Sequence, residues 1–224
     1  MQIKERLEKE TAREYAYRIL RENIIILELE PGSLVSENEL AALMGLSRTP
    51  VREALIELSK SHIVEIYPQK GSYISKIDYE LVEEARFLRT VLESAIVELA
   101  CDMLTESNIT SLRENLKLQE FYLENPVPDK LLELDNQFHE QLFTACNKTQ
   151  TYHLMNSMMA HYDRIRSMSL KAIKDIKIVE DHNSILQAIL DKNKKEASAI
   201  MDKHLSRYIV DKEGICEKYP QYFV

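Results

Sequence analysis

Between Glu8 and Leu27 the apolar residues Ala12, Tyr15, Ala16, Ile19 and Leu20 recur at helical spacing, while Arg13, Glu14, Arg18 and Arg21 face elsewhere. This predicts a long first helix. Glu30-Pro31-Gly32 is a turn signal that ends it. Ser36-Glu37-Asn38-Glu39 reads as a capping box, so a short second helix runs from about Glu37 to Met44. Gly45 suits the left-handed residue that stops this helix, and Leu46 can tuck into the core. Ser47 suits the N-cap of a third helix, with Pro50 in its first turn. In that third helix Val51, Ala54, Leu55 and Leu58 form the buried stripe, leaving Arg48, Thr49, Arg52 and Glu53 outward. The period thus separates packing positions from positions free to meet a partner.

Ile63 to Tyr67 and Ser72 to Lys76 are rich in β-formers and flank Pro68-Gln69-Lys70-Gly71, a hairpin signal. A helix-turn-helix followed by a hairpin makes a winged helix. Beyond Ile77 the strand signals stop, and six helical segments are drawn at roughly 80–104, 106–124, 128–146, 149–172, 174–190 and 193–211. Pro126 and Pro128 separate the second from the third, and Asn147-Lys148-Thr149 the third from the fourth. The fold class is therefore mainly α: a winged helix-turn-helix domain over 1–77, then an all-α six-helix bundle within 78–224. The segment from Gly214 to Val224, rich in Tyr and Pro, has no assigned role.

Composition sharpens this. Only 4 Gly and 6 Pro among 224 residues leave few helix breakers. The formal charge of −8 argues against a broad polyanion sponge. Residues 1–77 carry 11 basic and 12 acidic side chains, so the acidic excess lies mainly in the bundle. Cys101, Cys146 and Cys216 are far apart and odd in number, which suggests neither a disulfide framework nor a thiolate metal site. No signal peptide is evident, and the longest apolar run, Ile24 to Leu27, is too short to span a bilayer. A cytoplasmic protein without a membrane partner is expected.

Two sets of residues carry candidate chemistry. On the winged helix, Arg48 and Arg52 could meet guanine edges or phosphates in a major groove, since bidentate Arg to guanine is the commonest specific contact. Ser47 and Thr49 could bond phosphates near the helix N-terminus, and Lys70 and Gly71 would lie at the wing tip. Asn38 and Gln69 are weaker candidates. In the bundle, Asp135 and His139 lie four apart on one helix face, while His182 and His204 sit on two later helices. One oxygen and three nitrogen donors from three helices suit Zn, Ni, Mn or Fe. Spacing alone leaves a surface ion pair or satisfied core histidines as the commoner explanation. His62, His153 and His161 have no such partners in the pattern.

The stretch ELAALMGLSRTPVREALIELSKSHIVEIYPQKGSYIS, with SRTPVREAL and a wing ending in a PxxG turn, resembles the DNA-binding domain of GntR-type bacterial transcription regulators. The bundle resembles the FCD effector domain of the FadR branch, through Arg89-Thr90-Val91-Leu92-Glu93, Leu134-Asp135-x3-His139, His182-x2-Ile185-Leu186-x-Ala188-Ile189 and Met201-x2-His204. Six helices look more like the VanR-type variant than the fatty-acyl-responsive form, which disfavours long-chain acyl-CoA. The resemblance implies that Asp135, His139, His182 and His204 hold a divalent metal whose open positions take a small organic acid, with Arg89 near that ligand. The chain departs from the family pattern at Leu27, where a glycine is usual, and at Ser61-His62, which replaces Glu-Gly.

The expectation is a homodimeric regulator, repressor or activator, whose two winged helices read a palindromic DNA operator. A small carboxylate effector would shift its affinity, and Arg86 and Arg166 are weaker candidates to help neutralise it. Two rivals come from other classes. One is a metal sensor in which the ion itself is the signal. The other is a metallohydrolase using the same ligands and a bound water, for which no general base stands out.

Overall fold

The computed structural model describes residues 1–172 and 176–224. The chain divides into two compact units, residues 1–81 with 215–224, and residues 82–214.

In the first unit, α1 (Ala12–Ile25) begins at Thr11, whose side chain accepts from the Glu14 N–H while Glu14 reaches back to the Thr11 N–H. This capping box sets the helix start later than the sequence period predicts. Ala16, Ile19, Leu20 and Ile24 are fully buried along its inner face. They pack on Val51, Ala54, Leu55 and Leu58 of α3 (Arg48–Lys60), the predicted stripe. Each such buried Ile, Leu or Val side chain contributes roughly 1.5–3 kcal/mol, and each Ala less. Between them α2 (Glu37–Met44) ends at Gly45 with φ 65, as the glycine predicts. Of the expected capping box only one half forms: Ser36 accepts from the Glu39 N–H at 3.4 Å.

The wing is β2 (Val64–Tyr67) and β3 (Gly71–Ile74), paired antiparallel from Val64 opposite Ile74 to Tyr67 opposite Gly71. A third strand, β1 (Leu34–Val35), pairs with β3 on its other side, giving the order β1-β3-β2. Two residues were too short a signal to read. At Gly71 the backbone has φ 109, and an added Cβ would meet Leu34 Cδ1 at 2.9 Å. Its glycine identity is thus explained by strand packing as well as by position at the tip. Leu27 and His62, the two departures from the family pattern, have φ 65 and 59. Both residues occupy the left-handed conformation that favours glycine.

The segment after Gly214 returns to the first unit. Ile77 forms a parallel bridge with Phe223, its N–H donating to the Tyr222 carbonyl at 2.8 Å and its carbonyl accepting from the Val224 N–H at 3.2 Å. The Phe223 ring stacks on Tyr79 at 5.2 Å, and Cys216 Sγ lies 3.3 Å from the Tyr79 hydroxyl.

The second unit is helical: most of α4 (Tyr79–Met103), then α5 (Glu106–Glu124), α6 (Pro128–Ala145), α7 (Thr149–Met158), α8 (Ala160–Ala172), α9 (Ile176–Leu190), α10 (Lys194–Leu205) and the start of α11 (Tyr208–Lys218). Two of the six expected helices are each broken in two. The expected 149–172 segment is interrupted at Met159, where the Ser157 hydroxyl bonds back to the Leu154 carbonyl at 2.6 Å. The 193–211 segment stops at Ser206, whose hydroxyl bonds the Asp202 carbonyl at 2.9 Å. Neither break carries a Gly or Pro signal, and back-bonding alone does not account for them, since Ser184 makes the same bond to the Glu180 carbonyl inside the unbroken α9. The expected start at 174 lies outside the described residues. Among the described residues no helix is long and apolar enough to cross a membrane.

Candidate metal centre and nucleic-acid interface

On the first unit the predicted reading residues share an exposed surface. Asn38 is exposed in the first turn of α2, and Ser47, Arg48, Thr49 and Arg52 are exposed at the start of α3. Ser47 occupies the N-cap with extended backbone, but its side chain makes no capping bond. The expected cap is correct in position and unused in chemistry, which leaves the hydroxyl exposed. Arg48 is held differently from the expectation of a plain outward side chain: its Nε lies 2.5 Å from Glu37 Oε2. Lys70 and Gly71 are exposed in the wing turn, with Gln69 beside them at φ 64.

In the second unit Asp135 and His139 on α6, His182 on α9 and His204 on α10 are all buried, and one donor atom from each lies within 4.8 Å of all the others. His204 Nε2 is 3.2 Å from both His139 Nε2 and His182 Nε2. Asp135 completes the set, its oxygens 3.7 Å from the Nε2 atoms of His139 and His182. Two metal–nitrogen bonds of about 2.1 Å span a separation of this size.

The outer nitrogens explain why the inner ones converge. His182 Nδ1 donates to Gln119 Oε1 at 2.8 Å, and the amide of Gln119 is itself oriented by donating to Asn115 Oδ1 at 2.6 Å. His139 Nδ1 faces Glu93 Oε2, and His204 Nδ1 is 3.7 Å from Asp181 Oδ2. The Gln119 oxygen on His182 Nδ1 fixes the tautomer that turns that ring's Nε2 lone pair inward, the usual support of a metal-binding histidine, while the carboxylates beside the outer nitrogens of His139 and His204 make no hydrogen bond to them. Burial holds His139 and His182 well below the ordinary histidine range, with the Arg89 charge adding to this for His139 and His204 for His182. Their neutral rings are then available as ligands. Burial alone would raise the Asp135 carboxyl, but Arg166 beside it reverses this and keeps the carboxylate ionised. Three converging imidazole nitrogens beside a carboxylate fit a divalent cation.

Three arginine–carboxylate pairs flank this group, that of Arg89 buried and those of Arg166 and Arg207 partly so. Arg89 on α4 is 3% exposed, with its Nε 2.5 Å from Glu93 Oε1 and its guanidinium 5.4 Å from the centre of the Tyr162 ring. Nε makes its only hydrogen bond among the described residues. Arg166 on α8 bonds Asp135, and its Nη1 donates to Asp163 Oδ1 and Asn136 Oδ1 at 2.8 Å each. Arg207 pairs with both oxygens of Asp181. Arg86, by contrast, pairs with Glu83 at 3.1 Å on the same helix.

Sequence reasoning missed Glu93, Gln119 and Asp181 as supports of the histidines. Glu93 stands four residues after Arg89, a same-face signal on a helix. Gln119 has no signal at all, because nothing along the chain says which residue of α5 faces His182. His153 is exposed, as expected of a histidine without a role, but His161 is buried against Arg164, 2.9 Å from its Nη2.

Comparison with known proteins agrees with both halves. The chain is 33% identical over 190 residues to the HTH-type transcriptional repressor RspR of Escherichia coli (strain K12), covering 84% of this chain and 83% of that protein. It is 28% identical over 179 residues to the Nta operon transcriptional regulator of Aminobacter aminovorans, covering 80% and 83%. The solved structure of E. coli McbR/YncC matches with a TM-score of 0.81 at 20% identity, over 93% of this chain and 99% of that one, a likeness of fold alone. Relatives and family alike are transcription regulators and not enzymes, which removes the metallohydrolase. Residues 12–74 match the bacterial regulatory proteins of the gntR family and residues 84–207 match the FCD domain, so this chain belongs to the GntR family of transcription regulators in its FCD-bearing form.

Proposed function

We propose that the protein binds a palindromic operator as a homodimer and that a small organic acid, bound at a divalent metal held by Asp135, His139, His182 and His204, sets its DNA affinity. The observation that carries this reading is the inward convergence of three Nε2 atoms and one carboxylate, with His182 steadied from outside by Gln119. When bound, the ion would supply a Lewis-acidic centre for a carboxylate. Arg89 is the residue to pair with that carboxylate, because its terminal nitrogens are not committed to hydrogen bonds.

The DNA side of the reading rests on Ser47, Arg48, Thr49 and Arg52, with Asn38, Lys70 and Gly71 at its margins. Support for a second copy comes from α4. Phe87, Val91, Leu99 and Met103 are 68%, 53%, 40% and 37% exposed, and with exposed Ala95 they form one stripe at four-residue spacing along the helix. An apolar stripe of that length on a single helix is the kind of surface a twofold helix pair buries.

The test is a thermal-shift screen of mono-, di- and tricarboxylates and sugar acids on metal-loaded protein, since a ligand of the folded state raises its stability. A hit should be lost in His182→Ala and should change affinity for a duplex selected by the protein from a random pool. An effector must bind one conformation better than another, so equal duplex affinity with and without the hit refutes the coupling. If metal titration alone changes duplex affinity without any acid, the ion is the signal.

A further inference from the structure

Glu37 begins α2, and nothing in its sequence position marks it as more than a helix-starting carboxylate. Its side chain is 20% exposed and reaches across the turn to Arg48, the first residue of α3, whose side chain is 63% exposed. The contact joins Glu37 Oε2 to Arg48 Nε at 2.5 Å, and it is the only hydrogen bond of that guanidinium among the described residues. An exposed ion pair of this kind contributes little to stability. Its consequence is geometric. With Nε occupied, the planar guanidinium is fixed by its inner edge, and Nη1 and Nη2 form an outward fork. That fork is the part of arginine that matches guanine O6 and N7.

We infer that Glu37 is a positioning residue for sequence discrimination, holding Arg48 so that its Nη fork is presented to a guanine edge. The inference rests on the proposed role of Arg48 in reading DNA. Holding the side chain beforehand removes part of the ordering cost of binding. The carboxylate also repels phosphates wherever Arg48 has no guanine to engage, so it weakens non-specific docking. The pair therefore raises the ratio of specific to non-specific affinity more than it raises affinity itself.

The test uses the full-length protein, the duplex it selects from a random pool, and a scrambled duplex of equal length. Glu37→Gln should weaken binding to the selected duplex about tenfold, a coupling of ordinary size for contacting residues, and leave scrambled-duplex binding equal or tighter. In an Arg48→Ala background it should cause no further loss on the selected duplex. Glu37→Asp keeps the charge at the start of α2 but withdraws the carboxylate, so it should behave as Glu37→Gln does. A Glu37→Asp protein that discriminates like wild type would show that charge alone matters and overturn the inference. So would a loss shared equally by both duplexes, or one that persists undiminished in Arg48→Ala. If Arg48→Ala itself leaves selected-duplex binding unchanged, the reading role of Arg48 falls, and the inference with it.

Discussion

The two units use arginine in opposite ways. On the winged helix Arg48 and Arg52 stand on the exposed side of α3. Around the histidines Arg89 is buried and Arg166 largely so, each committed to a carboxylate. An exposed guanidinium keeps its affinity for an incoming polyanion because its terminal nitrogens rest against water, even where, as in Arg48, Nε is paired with a carboxylate. A buried one is tolerated only because its charge is already matched, since removing either partner strands the other. The first arrangement suits direct contact with a polyanion. The second builds a rigid electrostatic frame in which an ion and an acid can be recognised.

The largest test of this contrast removes a frame member from inside. His139→Ala should weaken metal retention by more than about 100-fold, and Gln119→Leu, which removes only the support of His182, by about 10–100-fold. Metal content after dialysis against a competing chelator measures both. Equal retention in Gln119→Leu and wild type would mean that the amide does not orient the ring. Next in size, Arg52→Ala should cost about 1–3 kcal/mol in binding to a selected duplex if it reads a base, followed by fluorescence anisotropy, while metal content stays unchanged. A drop in metal content would show that the two uses of arginine are not separable. The smallest effect concerns the loops of the winged helix. His62→Gly should stabilise the protein by about 0.5–1 kcal/mol, because a non-glycine residue at φ 59 carries a left-handed penalty. Leu27→Gly should gain less, since that half-buried side chain also gives up packing. Thermal melts of the two variants check the order.

Legibility in the sequence followed the range of the forces involved. The helix-turn-helix was readable because its signals are local: the period of Val51, Ala54, Leu55 and Leu58, the glycine at 45, the wing turn at 68–71. The four residues Asp135, His139, His182 and His204 stand out by donor type and helical spacing, but spacing alone favours structural roles and only family likeness tips the balance, since three helices far apart in sequence must converge before His204 meets His139 and His182. Their supports were less legible still. Glu93, Gln119 and Asp181 act on ring nitrogens that face away from the centre, and periodicity can place a residue on a face without saying what lies opposite. The helix breaks at Met159 and Ser206 have no Gly or Pro to mark them in the sequence.

The return of Phe223 to Ile77 has a bearing on how the protein can be taken apart. Cys216 and Tyr79 are 137 residues apart in sequence, yet they touch within the same compact unit. A ribosome therefore releases the helix-turn-helix long before the segment that closes over Ile77, and an N-terminal fragment ending after Leu81 carries an uncovered isoleucine and an unstacked Tyr79. Chimeras that graft this reader onto another regulator by one cut near residue 78 would leave part of the reader behind. A graft that respects the fold needs two junctions, one on each side of the helical unit.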